Sequence, residues 1–383
     1  MRDFALIAEA LSDADRRGEP AVLATVVRTE GSTYRRAGAR MLLRRDGTTV
    51  GAVSGGCLEA DLAARVDPLL AAGRPELVTY DTRSDEDLVW GLGLGCNGRV
   101  DVLLEPLTGD ALARARAVHA RCRDLSEPAV VTTVIAAGAR AGARVGDRVM
   151  VTESGGPVAL GLDLDAAPPE LLVDACEALA AGSSTVRAYG AIEVVHEVVA
   201  PPLSLLVCGA GADAVPLVRL AVGLGWRVTV AEHRSGYARP DRFPGAAVRL
   251  PDGDASAADL GRGCDSAVVM SHHYERDVLY VQALLAAGVP YVGVLGPRRR
   301  TERMVAELGV SDADAARLYA PVGLDIGAET PDEIALAIVA EVQAVKAGRA
   351  AGPLRRRPGG IHDGACGSDP APAAADVSPR CAP

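Results

Sequence analysis

Two cysteines of this chain lie inside glycine turns, in Ser54-Gly55-Gly56-Cys57-Leu58-Glu59 and in Gly93-Leu94-Gly95-Cys96-Asn97-Gly98. A thiol at a helix start, beside glycine N–H groups, is expected to ionise readily, and thiolate is the form that binds soft metals or moves sulfur. Cys57 and Cys96 are therefore the candidate metal and cofactor contacts, with Gly55, Gly56 and Glu59 around the first of them. The competing reading of each is a small hydrophobic filler. A third turn, Glu30-Gly31-Ser32-Thr33-Tyr34-Arg35-Arg36, either offers an anion the N–H groups of Gly31 and Ser32 and the Arg35 guanidinium, or is a plain β-turn.

A second set of candidates follows a strand. Gly209-Ala210-Gly211-Ala212-Asp213-Ala214 opens a helix, with Ala214 in the place of a third glycine. Such a loop lets a pyrophosphate approach the backbone where the helix N–H groups are free. Glu232 closes the next strand, where an acid accepts hydrogen bonds from ribose hydroxyls. A carboxylate at Asp213 would repel a pyrophosphate unless it points away or holds the helix start. His272 and His273 end the strand AVVMS, and Arg298 follows YVGVL; ligands of open α/β sheets bind at that edge, so these residues either face one crevice or serve structure alone, the histidines as packed side chains and the arginines as a solvated helix start. The adjacent histidines lack the i, i+4 spacing of a metal pair. Leu70-Ala71-Ala72-Gly73-Arg74 echoes a nucleotidyltransferase glycine loop, but it ends a helix and is set aside.

The elements that must position these residues fall into three regions: 1–199, 203–346 and 349–383. The first reads as a mixed α+β domain. Aliphatic, β-branched runs at 21–29, 39–43, 50–53 and 100–104 predict a sheet, and Leu58, Leu62, Val66, Leu69 and Leu70 predict one helix capped by Gly73. Further helices are expected at about 110–122 and 168–181, and Ala200-Pro201-Pro202 reads as a linker. The second region alternates strand, glycine turn and helix, which predicts a Rossmann-like parallel-sheet domain. Its last helix opens on the capping box Thr330-Pro331-Asp332-Glu333. The third region, rich in Pro, Gly and Ala, is expected to be a disordered tail. No internal repeat is evident.

Hydrophobic residues at 49 % and charged residues at 23 % suffice for a packed α/β protein, whereas 3 % aromatics leave few platforms for stacking single-stranded nucleic acid. The formal net charge of -10 would repel a phosphate backbone, so nucleic acid is not an expected partner. No apolar run reaches the length of a membrane span. The eight cysteines are scattered, with no C-x-x-C pair and no export signal, and point to thiols in the reducing cytoplasm.

Taken together, EGSTYRRAGARM, GAVSGGCLEADL, GLGCNGRVDVLLEPL, CGAGADAVPLVRL, VTVAEHRSGYARPDRFPGA, VVMSHHYERD, YVGVLGPRRR and APVGLDIGAETPDEIALAI resemble the XdhC/CoxI family of molybdenum-cofactor accessory proteins. The resemblance runs from about residue 6 to 346, with eight segments in the family's order. It implies a cytoplasmic, non-catalytic chaperone that binds molybdopterin and assists sulfuration and insertion of the cofactor. The implied partner is a molybdenum hydroxylase apoenzyme of the xanthine dehydrogenase, aldehyde oxidase or CO dehydrogenase type. A cysteine desulfurase is a candidate sulfur donor, and self-association a candidate state. Cys57, Cys96 and Glu59 become the expected cofactor contacts, and Gly209, Gly211, Glu232, Arg234, His272 and Arg298 those of NAD(P) or another nucleotide. Two other classes stay open. One is an NAD(P)-dependent oxidoreductase, against which stands the want of a Tyr and Lys acid-base pair, the single lysine being Lys346. The other is a nucleotide-sensing partner protein without chemistry.

Overall fold

The computed structural model describes residues 2–81, 83, 98–138, 142–250 and 256–357. Cys96 and the segment from 358 onward, most of the expected tail, lie outside them. The chain divides into two compact units at Leu203–Ser204.

The first unit runs α1 (Arg2–Arg17), β1 (Ala21–Gly31), β2 (Arg40–Arg44), β3 (Thr49–Gly51), α2 (Glu59–Ala64), α3 (Val66–Ala72), β4 (Glu76–Asp81) and β5 (Gly98–Leu107). It continues through α4 (Gly109–Arg123), β6 (Ala129–Ala137), β7 (Arg148–Thr152), β8 (Val158–Leu160), α5 (Pro169–Ala181), β9 (Thr185–Tyr189) and β10 (Ile192–Val199). Two antiparallel sheets result, ordered β3-β2-β1-β5-β4 and β8-β7-β6-β10-β9. Alternation along β1 explains why the first sheet is covered on both faces. Ala21 and Leu23 pack with Ile7 and Leu11 of α1, while Val22, Ala24 and Val26 pack with Leu62 and Leu69 of α2 and α3.

The helix expected over residues 58–70 is instead two helices that break at Arg65. Pro68 is the reason: it has no N–H to donate to the carbonyl one turn back, so α2 cannot run through it. Gly73 does cap α3 in the left-handed region, at φ 63°.

The expectation that the chain holds no repeat is overturned. The two sheets share one strand order and, with α2 and α3 together in the place of α5, one element order, and their matching positions carry matching features. β1 bulges at Val27 and β6 at Ile135, and these two residues meet Leu103 and Val195 in one cluster. Gly38 and Gly146 both have φ 94°. Arg40 of the first half pairs with Glu197 of the second, and Arg148 of the second with Glu105 of the first. Reciprocal contacts of this kind are what a two-fold axis generates. Ala21, Val22, Thr25, Val26, Gly38 and Arg40 recur at one constant spacing as Ala129, Val130, Thr133, Val134, Gly146 and Arg148.

The second unit runs β11 (Ser204–Cys208), α6 (Ala214–Gly223), β12 (Arg227–Ala231), β13 (Ala247–Arg249), α7 (Ser256–Gly261), β14 (Ser266–Val269) and α8 (Tyr274–Ala286). It ends with β15 (Tyr291–Val294), α9 (Arg298–Leu308), α10 (Asp312–Ala315), β16 (Leu318–Tyr319) and α11 (Pro331–Lys346). All its strand pairs are parallel, and the order β13-β12-β11-β14-β15-β16 is that of a dinucleotide-type Rossmann sheet. The capping box at Thr330 and Glu333 forms as expected.

Candidate functional site

Two turns of the first unit converge on the start of β5. Ser32, Thr33, Tyr34 and Arg35 from the turn after β1, Ser54 and Cys57 from the turn after β3, and Gly98 at the start of β5 line one small pocket of about 30 Å3, with Tyr80 of β4. Cys57 is half-buried and packs against the aliphatic cluster under α2 and α3.

Ser54 organises its turn. Its hydroxyl accepts from the N–H groups of Gly56, Cys57 and Leu58 at 3.1, 3.1 and 3.2 Å, so these donors point into the turn. Glu59 closes the loop from the other side: its carboxylate takes the Ser54 N–H at 3.0 Å, the Leu58 N–H at 3.1 Å and the Ser54 hydroxyl proton. Burial works against the Glu59 charge, yet the Ser54 hydroxyl and these N–H groups hold the carboxyl below its ordinary range. Glycine is required at 56, where φ is 111°, and the Tyr34 ring lies over Gly55, at ordinary contact distance from where a Cβ would stand. Arg35 is held by an ion pair to Asp3 of α1. Beside the pocket, Tyr80 donates to Asp61 at 2.5 Å, and burial together with that carboxylate pushes the phenol up.

Gly98 shows how tightly the turns fit. A Cβ there would stand 2.7 Å from the carbonyl oxygens of Glu30 and Ser32 and 2.8 Å from the Thr33 methyl. Gly98→Ala is expected to lower the stability of the first unit by about 1–3 kcal/mol, the usual range for overpacking. Thermal unfolding checks this, and an unshifted midpoint would mean that the 31–35 turn yields freely.

In the second unit the glycine loop sits where the sequence puts it, but its polar partners are internal. Gly209, at φ 126°, lets β11 pass close to the end of β14: a Cβ would stand 2.5 Å from the Met270 carbonyl oxygen. Glu232 is fully buried. It accepts from the Ala210 N–H at 2.8 Å, from the Arg234 N–H and Nε at 2.9 Å, and from Arg234 Nη2 at 2.8 Å. Burial would raise its pKa, but Arg234 and the backbone donors bring it down to about 2. Asp213 does hold the helix start, accepting from the Ala214 N–H at 3.1 Å, and its other oxygen meets His272 Nε2 at 2.7 Å. His272 itself adopts φ 61°, a strained value for a non-glycine residue. Of the arginine triplet, Arg298 stays exposed at the first turn of α9, while Arg300 reaches the sheet edge and pairs with buried Asp277 at 2.6 Å. His272 therefore meets the glycine loop through Asp213, and the arginine drawn into that edge is Arg300 rather than Arg298.

A Rossmann sheet preceded by a duplicated pair of antiparallel sheets defines the class: a two-part α/β protein whose glycine turns collect around a cysteine. The chain belongs to the XdhC and CoxI family; residues 14–81 match that family's model and residues 205–342 match the XdhC Rossmann domain. It is 34 % identical over 337 residues to a probable xanthine dehydrogenase subunit from Bacillus subtilis, covering 85 % of this chain and 92 % of that one. It is 26 % identical over 333 residues to the molybdenum cofactor insertion chaperone PaoD of Escherichia coli, with 86 % and 84 % covered. A crystal structure from Bacillus halodurans, described as a xanthine dehydrogenase, superposes with a TM-score of 0.71 at 29 % identity, covering 92 % of this chain and 98 % of that one. Among the described residues no helix is long and apolar enough to cross a membrane, and no group of three His, Cys, Asp or Glu side chains could hold a metal ion.

Proposed function

We propose that this chain is a maturation factor that holds the molybdenum cofactor and hands it to a molybdenum hydroxylase apoenzyme, with a cysteine desulfurase supplying the sulfur for its sulfuration. Family membership and the likeness to an insertion chaperone support the reading. The observation that carries it is the meeting of the 31–35 turn, the 54–59 turn and the start of β5 around Cys57. The donor chemistry fits: a thiol suits a soft, dithiolene-held metal centre, and guanidinium and hydroxyl groups suit a phosphate. At about 30 Å3 the pocket admits little more than a water, so the cofactor would rest on the turn cluster rather than enter it.

In this reading the cofactor supplies the metal centre, and the chain supplies the grip. Cys57 presents its sulfur, Ser32 and Arg35 take the phosphate with Arg35 oriented by Asp3, and Glu59 is a positioning residue that keeps the turn closed. The Rossmann unit acts as scaffold rather than as an NAD(P) site, because both Glu232 oxygens that ribose hydroxyls would need are taken by Ala210 and Arg234. Protein isolated from molybdenum-replete cells is expected to carry molybdopterin. Cys57→Ala is expected to weaken that binding by about tenfold or more. Unchanged affinity would remove the cysteine from the mechanism, and a wild-type protein that never retains the cofactor would end the proposal.

A further inference from the structure

A cleft of about 700 Å3 opens in the first unit between the turn at Gly73 and Arg74, the first turns of α4, and residues 142–148. It shares no lining residue with the Cys57 pocket. Three arginines, Arg74, Arg114 and Arg144, line it, and none of them has an ion-pair partner among the described residues. Its floor is the Arg148–Glu105 pair, which neutralises itself. The remaining carboxylate, Asp147, accepts the Arg144 backbone N–H at 2.8 Å. A concentration of unpaired cations is the reverse of what a chain with a net charge of -10 offers on average.

The repeat tells whether the fold itself demands these cations. Gly73 and Gly182 are both left-handed caps just ahead of β4 and β9, so Arg74 stands where the second half has Ser183. At the spacing that relates Arg40 to Arg148, Arg114 stands where α1 has Leu6, and Arg144 matches Arg36. The same architecture is thus built with a serine and a leucine in place of two of the three arginines, and their presence here is not a requirement of folding.

We propose that this cleft is a second ligand site, independent of Cys57, that takes a phosphorylated small organic molecule through Arg74, Arg114 and Arg144. Guanidinium forks match phosphate oxygens, and the volume is that of a small-molecule site. Leu107, Ala115 and Val145 give the organic portion an apolar wall. The test is calorimetric titration of the full chain with inorganic pyrophosphate and with ADP. Both are expected to bind, ADP more tightly, with affinity falling as salt rises. The variant Arg74→Ser with Arg114→Gln is expected to bind each about tenfold or more weakly while melting like the wild type, since both side chains are exposed. Cys57→Ala is expected to bind both as the wild type does. Equal affinity in the double arginine variant, no saturable binding of either probe, or a parallel loss in Cys57→Ala would overturn the site; ADP binding no tighter than pyrophosphate would overturn its organic part.

Discussion

Glu197→Gln is expected to cost the first unit about 3–5 kcal/mol, a large share of the roughly 5–15 kcal/mol that holds an ordinary domain together. The side chain keeps its shape, but Arg40 loses the carboxylate that grips it at both nitrogens, with the Nη1–Oε1 contact at 2.9 Å. Arg40 is 6 % exposed and Glu197 13 %, so water cannot replace the partner. Burial alone would lower the Arg40 pKa, yet Glu197 holds it raised, and the Phe4 ring beneath, 4.0 Å away, is a weak substitute. If the two halves are related as described, Glu105→Gln should cost a similar amount through Arg148, whose Nη2 sits 2.5 Å from that carboxylate. Replacing both members, Arg40→Met with Glu197→Met, should restore most of the loss, because removing a buried pair together leaves no stranded charge. Chemical denaturation followed on the first unit's transition measures all three. A Glu197→Gln variant that melts like the wild type would show the pair to be idle.

Those pairs also mark what sequence reasoning reached and what it did not. The four central strands of the parallel sheet were legible, with Ser204–Cys208 the first as predicted, because a buried strand between a proline linker and a glycine turn has few other readings; the short edge strands β13 and β16 were not. The three glycine turns were legible as ligand candidates because glycine at positive φ and polar residues at fixed offsets are local signals. The meeting of the 31–35 and 54–59 turns with Gly98 is a tertiary fact that no local pattern contains. The break at Arg65 was missed because apolar spacing carried straight across Pro68, although the proline itself was visible. The repeat was missed because its halves keep only scattered identities such as Gly38 with Gly146. A search at constant spacing would have found Arg40 and Arg148, yet their partners Glu105 and Glu197 fall at a different spacing. The cause is the connection between the last two strands. β4 ends at Asp81 and β5 begins at Gly98, whereas β9 ends at Tyr189 and β10 begins at Ile192. The first half thus carries extra chain at that one place, and Cys96 lies within it. An insertion that adds a second glycine-flanked cysteine to the half already bearing Cys57 is consistent with one half specialising while the other serves as its packing partner.

The same relation makes the acid sensitivity of the first unit predictable. His119 is buried in α4 and His196 in β10, at positions where the other half carries Leu11 and Leu104, all four being at most 1 % exposed. Burial, with the Arg40 charge nearby, lowers the His119 pKa to about 3; burial also lowers that of His196 to about 4, although Asp174 pulls the other way. Both rings are therefore neutral when folded, His196 between the Thr132 hydroxyl at 2.8 Å and the Tyr189 hydroxyl at 3.0 Å. Unfolded histidine takes up a proton below pH ~6.5. Between that pH and the folded values the unfolded chain binds more protons, so stability must fall as the pH drops from about 6.5 toward 4. Near pH 4.5 the loss should be on the order of 2 kcal/mol for each ring. Carboxylates with lowered folded pKa values add to acid unfolding only below their ordinary range, which separates the two causes. Restoring the repeat with His119→Leu and His196→Leu is expected to flatten the stability profile between pH 6.5 and 4.5, even if repacking costs something at every pH. Denaturation midpoints measured at pH 7.5 and pH 5 for both proteins decide it, and a variant as acid-labile as the wild type would place the proton uptake elsewhere.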